Sequence, residues 1–447
     1  MVGGAALRKG MGVAALLAVA SSNGCRCGRS NEGDGTGGAS SSEPGIVETS
    51  GLKEEGGANG AVFSAPIAAA HGASGEVLVA GLDVPAKAIR LLRIGAKDDV
   101  VAQRTVFDDV KWTTDADLKI MTAAGGGAAV TWRGLLRGKV GRSLVMVGPD
   151  LGAKGPPAEV GGASCATRDA IWFTDGKRAN GRPWTGASIG VELPKDKEAS
   201  IVCGATRAFA FLEEDDGTSL LPLGSADGGV GRATPVALLR ETDFGDDEQR
   251  ERSEYTVGDE LGIVRLGASG AIAYREVKDG VVGSLKKART KIPHDDDVVA
   301  VDASPKALVI AFTQDASSGC PDGQASTKVS ALRIERGSGE ETTVELSTGM
   351  CSREVGPFFT GAVGDGVSVA WVERVPVAGK PKAPIVALAH AFVPATGAAQ
   401  TVKRVDVAAD ALVDAGCDAE RCYAVALERK SGTDGMVPGP VKVLRYR

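Results

Sequence analysis

Two stretches decide how this chain is read: Cys165–Phe173, CATRDAIWF, and Cys203–Phe211, CGATRAFAF. Each opens on a cysteine, carries a Thr-Arg pair (Thr167-Arg168 and Thr206-Arg207) and runs into a short apolar segment holding an aromatic. They begin about 38 residues apart, the length of one supersecondary unit in a repeat architecture. Working outward, runs of the same kind recur as Glu76–Ala80 (EVLVA), Ala128–Trp132 (AAVTW), Ala170–Thr174 (AIWFT) and Ala208–Leu212 (AFAFL). Ala271–Arg275 (AIAYR), Ala307–Phe312 (ALVIAF), Val367–Val372 (VSVAWV) and Cys422–Leu427 (CYAVAL) bring the series to eight. Most are nearly continuous in apolar residues and bounded by glycine or charge. That pattern belongs to strands covered on both faces, since successive side chains point to opposite sides.

Polar-edged companions follow the runs at Leu91–Ile94, Leu144–Val147, Val329–Ile334, Ile385–Phe392 and Val441–Tyr446. Several turn again into Val100–Val106, Thr342–Leu346 and Gln400–Val405, the order of an antiparallel meander. The chain holds 62 glycines, about twice the ordinary frequency of roughly 7%, as many tight turns require. Over residues 61 to 447 this architecture resembles the β-propeller group, with seven or eight blades. No WD dipeptide is present, so the resemblance is to a shape rather than to a subfamily. The resemblance implies an all-β fold; tandem β-sandwiches are the alternative. The charged stretch Glu241–Glu254 (ETDFGDDEQRERSE) is expected to be a long loop between blades, with a short surface helix as the alternative.

The N-terminus carries an address. Arg8 and Lys9 precede ten uncharged, mostly apolar residues, Met11–Ala20, a length that suits a signal peptide and not a membrane span. Ser22-Asn23-Gly24-Cys25 then resembles a bacterial lipobox, although Ser22 stands where leucine is usual. Residues 1 to 24 are therefore expected to be cleaved, with Cys25 bearing lipid and anchoring the protein to the envelope membrane. Cleavage after Ala20, which would release a soluble periplasmic or extracellular protein, is the alternative. Residues 25 to 60 include NEGDGTGGASSSEPG and KEEGGANG, compositions that bury too little apolar surface to fold alone, and are expected to be a tether.

In an exported chain the body cysteines are expected to pair as disulfides: Cys417 with Cys422, Cys320 with Cys351, and Cys165 with Cys203. Cys27 is left over. A metal site through cysteine and histidine is not expected, because CxxxxC occurs once and only His71, His294 and His390 are available. With 51 basic against 57 acidic residues and no basic segment, a nucleic-acid partner is excluded. No cofactor motif stands in a workable context: Gly33, Gly35 and Gly38 fit GxGxxG but lie in the tether.

Gly186-Ala187-Ser188-Ile189-Gly190 fits the nucleophile-elbow pattern without the strand and helix it needs, so no catalytic residue is assigned. His294-Asp295-Asp296-Asp297 and Glu213-Glu214-Asp215-Asp216-Gly217 read as charged turns. Of the five tryptophans, Trp132, Trp172 and Trp371 fall inside the apolar runs; Trp184, in a Gly/Pro-rich loop, is the candidate ligand contact. These features point to an exported propeller that binds a protein, peptide or glycan. The alternative is a propeller hydrolase or lyase with its site in the central funnel, a placement that leaves little linear signature.

Overall fold

A computed structural model of the chain describes residues 46–48 and, with short interruptions in the connections, 67–446. The described residues form eight antiparallel sheets of four or five strands, and a separate small hairpin, Lys430–Gly432 with Gly435–Val437. In seven of the eight sheets the strands follow in chain order, blade eight being the exception. Blade one is Ile67–His71, Val77–Asp83, Ala88–Ile94 and Val100–Phe107. The innermost strands of blades two to five are Leu118–Thr122, Ser164–Ala166, Ala199–Cys203 and Gln249–Val257. Those of blades six to eight are Val299–Ala303, Glu354–Val363 and Leu412–Cys417.

Eight core clusters lie between these sheets, one for each pair of neighbours. Leu78 and Leu91 meet Ile120 and Val130 between blades one and two. Ile171 meets Met121 and Leu144 between two and three, and Trp172 meets Ala210 and Leu212 between three and four. Phe211 and Ile263 join four to five, Val264 and Ile310 five to six, and Val309 and Trp371 six to seven. Leu388 and Ala424 join seven to eight. Val443 and Val425 of blade eight then pack on Val79 and Leu92 of blade one, so the ring closes. The fold is an eight-bladed β-propeller.

The strand period explains the continuous apolar runs. In the apolar run Ala307–Phe312 of the strand Ala307–Asp315, Val309 and Ala311 face blade seven while Leu308 and Ile310 face blade five, so polar residues enter only at its end, from Thr313 on. Val309, Leu308 and Ile310, each 0% exposed, contribute roughly 1.5–3 kcal/mol apiece by burial. A pair of sandwiches would give each sheet one covered face; here each blade is covered on both.

Seven of the eight runs are the second strand of a blade, one in from the channel. The eighth, AIAYR, belongs to the third strand of blade five, Ile272–Lys278. The second strand there is Glu260–Gly267, ELGIVRLG, whose apolar run is broken by Gly262 and Arg265. Gly262 is required because a Cβ would come within 1.9 Å of the Tyr255 ring carbon Cζ.

Two boundaries move. Glu241–Glu254 is not all loop: a 3-10 turn occupies Glu241–Phe244, and the innermost strand of blade five starts at Gln249. Its charges are tolerated because Arg252 and Glu254 pair with each other at 2.8 Å. Ile46–Glu48, inside the expected tether, forms a strand that pairs antiparallel with Val441–Tyr446, Val47 opposite Val443. Blade eight therefore takes its outermost strand from the N-terminal end of the chain. A three-residue strand with two β-branched residues is lost when composition is averaged over a Gly/Ser-rich segment.

Candidate functional site

Each innermost strand is the last in its sheet, so one edge of its backbone is unpaired. Those of blades eight and one to five surround a cavity of about 700 Å³ along the propeller axis. This size falls within the range of small-ligand sites.

Small residues dominate the lining, with a few charges at fixed places. Asp414 of blade eight lies deep in the protein, and its carboxylate accepts the Ala69 N–H of blade one at 2.7 Å and the Ala415 N–H at 2.8 Å. Burial pushes its pKa up to about 6, against the two N–H groups and the nearby Lys119 ammonium. Lys119, from blade two, has its own pKa lowered, first by burial and then by Arg142, while Asp117 and Asp414 oppose the shift. Asp117 is itself paired with Arg142. On the far side Glu254 is pushed upward by burial, and Arg252 partly offsets this. His71 packs edge-on against Tyr423, ring centroids 4.5 Å apart.

At one mouth the turns between first and second strands are stitched to one another. Thr167 closes its own turn onto Ala170 through backbone and hydroxyl, and the Arg168 N–H donates to the Ala205 carbonyl of blade four at 2.7 Å. The Thr206 N–H and hydroxyl both donate to Asp259 of blade five at 2.6 Å. The repeated Thr-Arg pair is thus a blade-to-blade tie. The Arg168 side chain above it is 61% exposed at the rim.

The six body cysteines form the three expected disulfides. Cys165–Cys203 joins the innermost strands of blades three and four, Cys320–Cys351 lies within blade six, and Cys417–Cys422 closes the first hairpin of blade eight. Three disulfides accord with an exported, non-cytoplasmic protein.

Trp184 is half-buried rather than exposed. It packs with Ala166 and Phe173 on the cluster between blades two and three, and it does not line the cavity. Its ring N–H is enclosed without a partner. Ser188 sits at the hairpin between Arg178–Pro183 and Ile189–Glu192, with no helix after it. Trp132, Trp172 and Trp371 are buried, as expected. Cys25, Cys27, Trp112, Gly33 and His294–Asp297 lie outside the described residues. Among the described residues no group of three or more His, Cys, Asp or Glu side chains is placed to hold a metal ion.

Lys119 and Asp414 escape sequence reading. Their only signal is one charge inside an otherwise apolar short strand, LKIMT and LVDAGC, and the ring alone brings the two to one cavity.

No family model matches the chain, and no curated protein does. Solved structures with a related arrangement include AofleA from Arthrobotrys oligospora, at 10% identity and TM-score 0.34 over 81% of this chain and 94% of that one. The WD40 domain of SCAP from fission yeast gives 10% identity and TM-score 0.36 over 90% and 98%. A polysaccharide lyase gives 9% identity and TM-score 0.43 over 88% and 92%. Propellers of binding and of enzymatic kinds are both among these neighbours, and likeness at this level says nothing of what the chain binds.

Proposed function

We propose that the protein is an exported envelope protein, anchored through lipid on Cys25, that binds a protein, peptide or glycan partner without chemically changing it. The observation that carries this reading is the axial cavity. It offers unpaired strand edges from six blades, while its acidic groups are committed: Asp117 to Arg142, Glu254 to Arg252, and Asp414 to two backbone N–H groups. Such a wall is built to hold a ligand in place. The second reading, a hydrolase or lyase, rests on Asp414, whose pKa of about 6 suits proton exchange near neutrality.

Titration of the purified mature chain against peptide and glycan libraries separates the two. Saturable binding with the ligand recovered intact supports the first reading, and turnover of the ligand that is lost in Asp414→Asn replaces it with the second. Membrane fractionation tests the anchor: Cys25→Ser is expected to move the protein to the soluble fraction, and retention on membranes overturns lipidation at that residue.

A further inference from the structure

We propose that the axial cavity takes an uncharged stretch of extended polypeptide, held by the open edges of the innermost strands of blades three and four and by the hydroxyls of Ser164 and Ser200. The inference rests on the reading of the protein as a binder and selects one class from among its partners.

The charges of the wall favour a ligand that carries none. Asp117 is paired with Arg142 and Glu254 with Arg252, Asp414 accepts two backbone N–H groups, and Lys119 lies in the fields of Asp117 and Asp414. At the rim Arg168 stands 3.4 Å from Asp169. Each of these groups already has its partner within the protein. A charge brought in by a ligand would shed its water and meet no spare counter-ion, a penalty that an uncharged ligand escapes.

Two hydroxyls on the same wall are in the opposite state. Ser164, 3% exposed, and Ser200, half-buried, belong to the innermost strands of blades three and four, and each Oγ is enclosed without a hydrogen-bond partner. Buried hydroxyls nearly always have one. A serine hydroxyl both donates and accepts, so it can serve either group of an amide.

Between an uncharged peptide and an uncharged sugar, the backbone decides. The innermost strands of blades three and four are fastened together by Cys165–Cys203, with Cα atoms 5.7 Å apart. Each pairs on one side only, so its other edge offers amide groups that an extended peptide matches in kind. The side chains beside the serines, Ala166, Ile201 and Val202, are apolar and suit small apolar residues of a ligand. An aromatic platform for a sugar ring is missing from the described wall. The two tyrosines that border it, Tyr255 and Tyr423, are each 1% exposed; Tyr423 lies against His71, and the Tyr255 hydroxyl is spent on Glu276 at 3.1 Å.

The test is isothermal titration of the full mature chain with N-acetyl tetraalanine amide. Glutamate or lysine at its second residue, or free termini, are expected to weaken binding roughly tenfold or more, and N-methylation of the central amide roughly tenfold, since it removes a donor from a buried bond. Ser164→Ala and Ser200→Ala should each weaken binding about three- to tenfold while the urea midpoint stays level, because neither hydroxyl has a protein partner to lose. The peptide series probes the unaltered protein, so the outcome does not depend on a variant folding. Equal binding of charged and uncharged peptides, or no binding of the blocked peptide, overturns the proposal. Serine variants that bind as wild type overturn it too, and a lowered urea midpoint then assigns the hydroxyls to enclosed water. If peptides fail while oligosaccharides bind, the binding function stands and the peptide assignment falls. If the peptide is cleaved, it is the reading of binding without chemistry that fails.

Discussion

The seam between blades three and four and the seam between five and six do the same task with different chemistry. The first is covalent, Cys165–Cys203, over an apolar cluster that includes Trp172 and Leu212. The second, besides its apolar cluster, is ionic. Arg336 of blade six donates to Glu276 and Glu260 of blade five at 2.6 Å each and to the Ser304 carbonyl at 3.2 Å, while Lys286 donates to Glu276 at 2.9 Å. Burial opposes the charge on Glu276, but Lys286 and Arg336 outweigh it and hold the carboxyl below its usual range. One seam is thus indifferent to salt and sensitive to reductant; the other has the reverse dependence.

The largest expected effect comes from breaking the covalent seam. Replacing Cys165 and Cys203 together by alanine should cost about 4 kcal/mol on the loop-entropy account of a disulfide closing some 38 residues. Urea denaturation with and without reductant measures it, and reductant should add little to the loss once this bond is gone beyond what the other two disulfides contribute.

Next is a third kind of seam, the single carboxylate of Asp414 between blades eight and one. Its pKa is higher in the folded state, about 6 against 3.8, so the folded chain binds the extra proton between those values. Stability contributed by this group is therefore highest below about 4 and falls as pH rises through 6, by roughly 3 kcal/mol at most. Asp414→Asn should remove that slope from a pH series of denaturation midpoints.

Arg336→Met should cost about 1–3 kcal/mol, because it leaves Glu276 and Glu260 short of a partner. High salt should narrow the gap to wild type, as it will not for the cysteine variant. Smallest is Thr206→Val, which removes the hydroxyl bond to Asp259 and should cost about 1 kcal/mol. Burial raises the Asp259 pKa, but Thr206 and Arg207 outweigh it and hold the carboxyl low, so the stability it contributes is present above pH 3.8 and lost as pH falls. That sign is opposite to Asp414, and the two variants should show opposite pH trends.

The contrast between seams also explains what was legible in the sequence. A cysteine and a continuous apolar run announce themselves locally, so the eight runs are legible as strands and Cys417 with Cys422 as a hairpin closure, whereas the pairing of the other four cysteines and the place of seven runs as second strands come from the ring. Tyr255 and Gly262 form a ring-over-glycine contact that makes the second strand of blade five look broken. Arg336, Glu276 and Glu260 are ordinary surface charges until the ring places them together. The cavity suffers most, because its lining strands are short and small, as in SCA and IAAAH, and carry no hydrophobic period. Lys119 and Asp414 lie almost three hundred residues apart in the chain, and nothing near either one points to the other.

The pairing of Val47 with Val443 sets an order of events for a chain synthesised from its N-terminus. Ile46–Glu48 has no place to go until Val441–Tyr446, almost four hundred residues later, has been made. Through that interval Ile46–Glu48 has no partner strand, and an open strand edge recruits other chains. Loop-closure entropy grows only slowly with length, so the delay costs little in final stability. It is a cost in time, borne while folding depends on contacts between distant parts of the sequence.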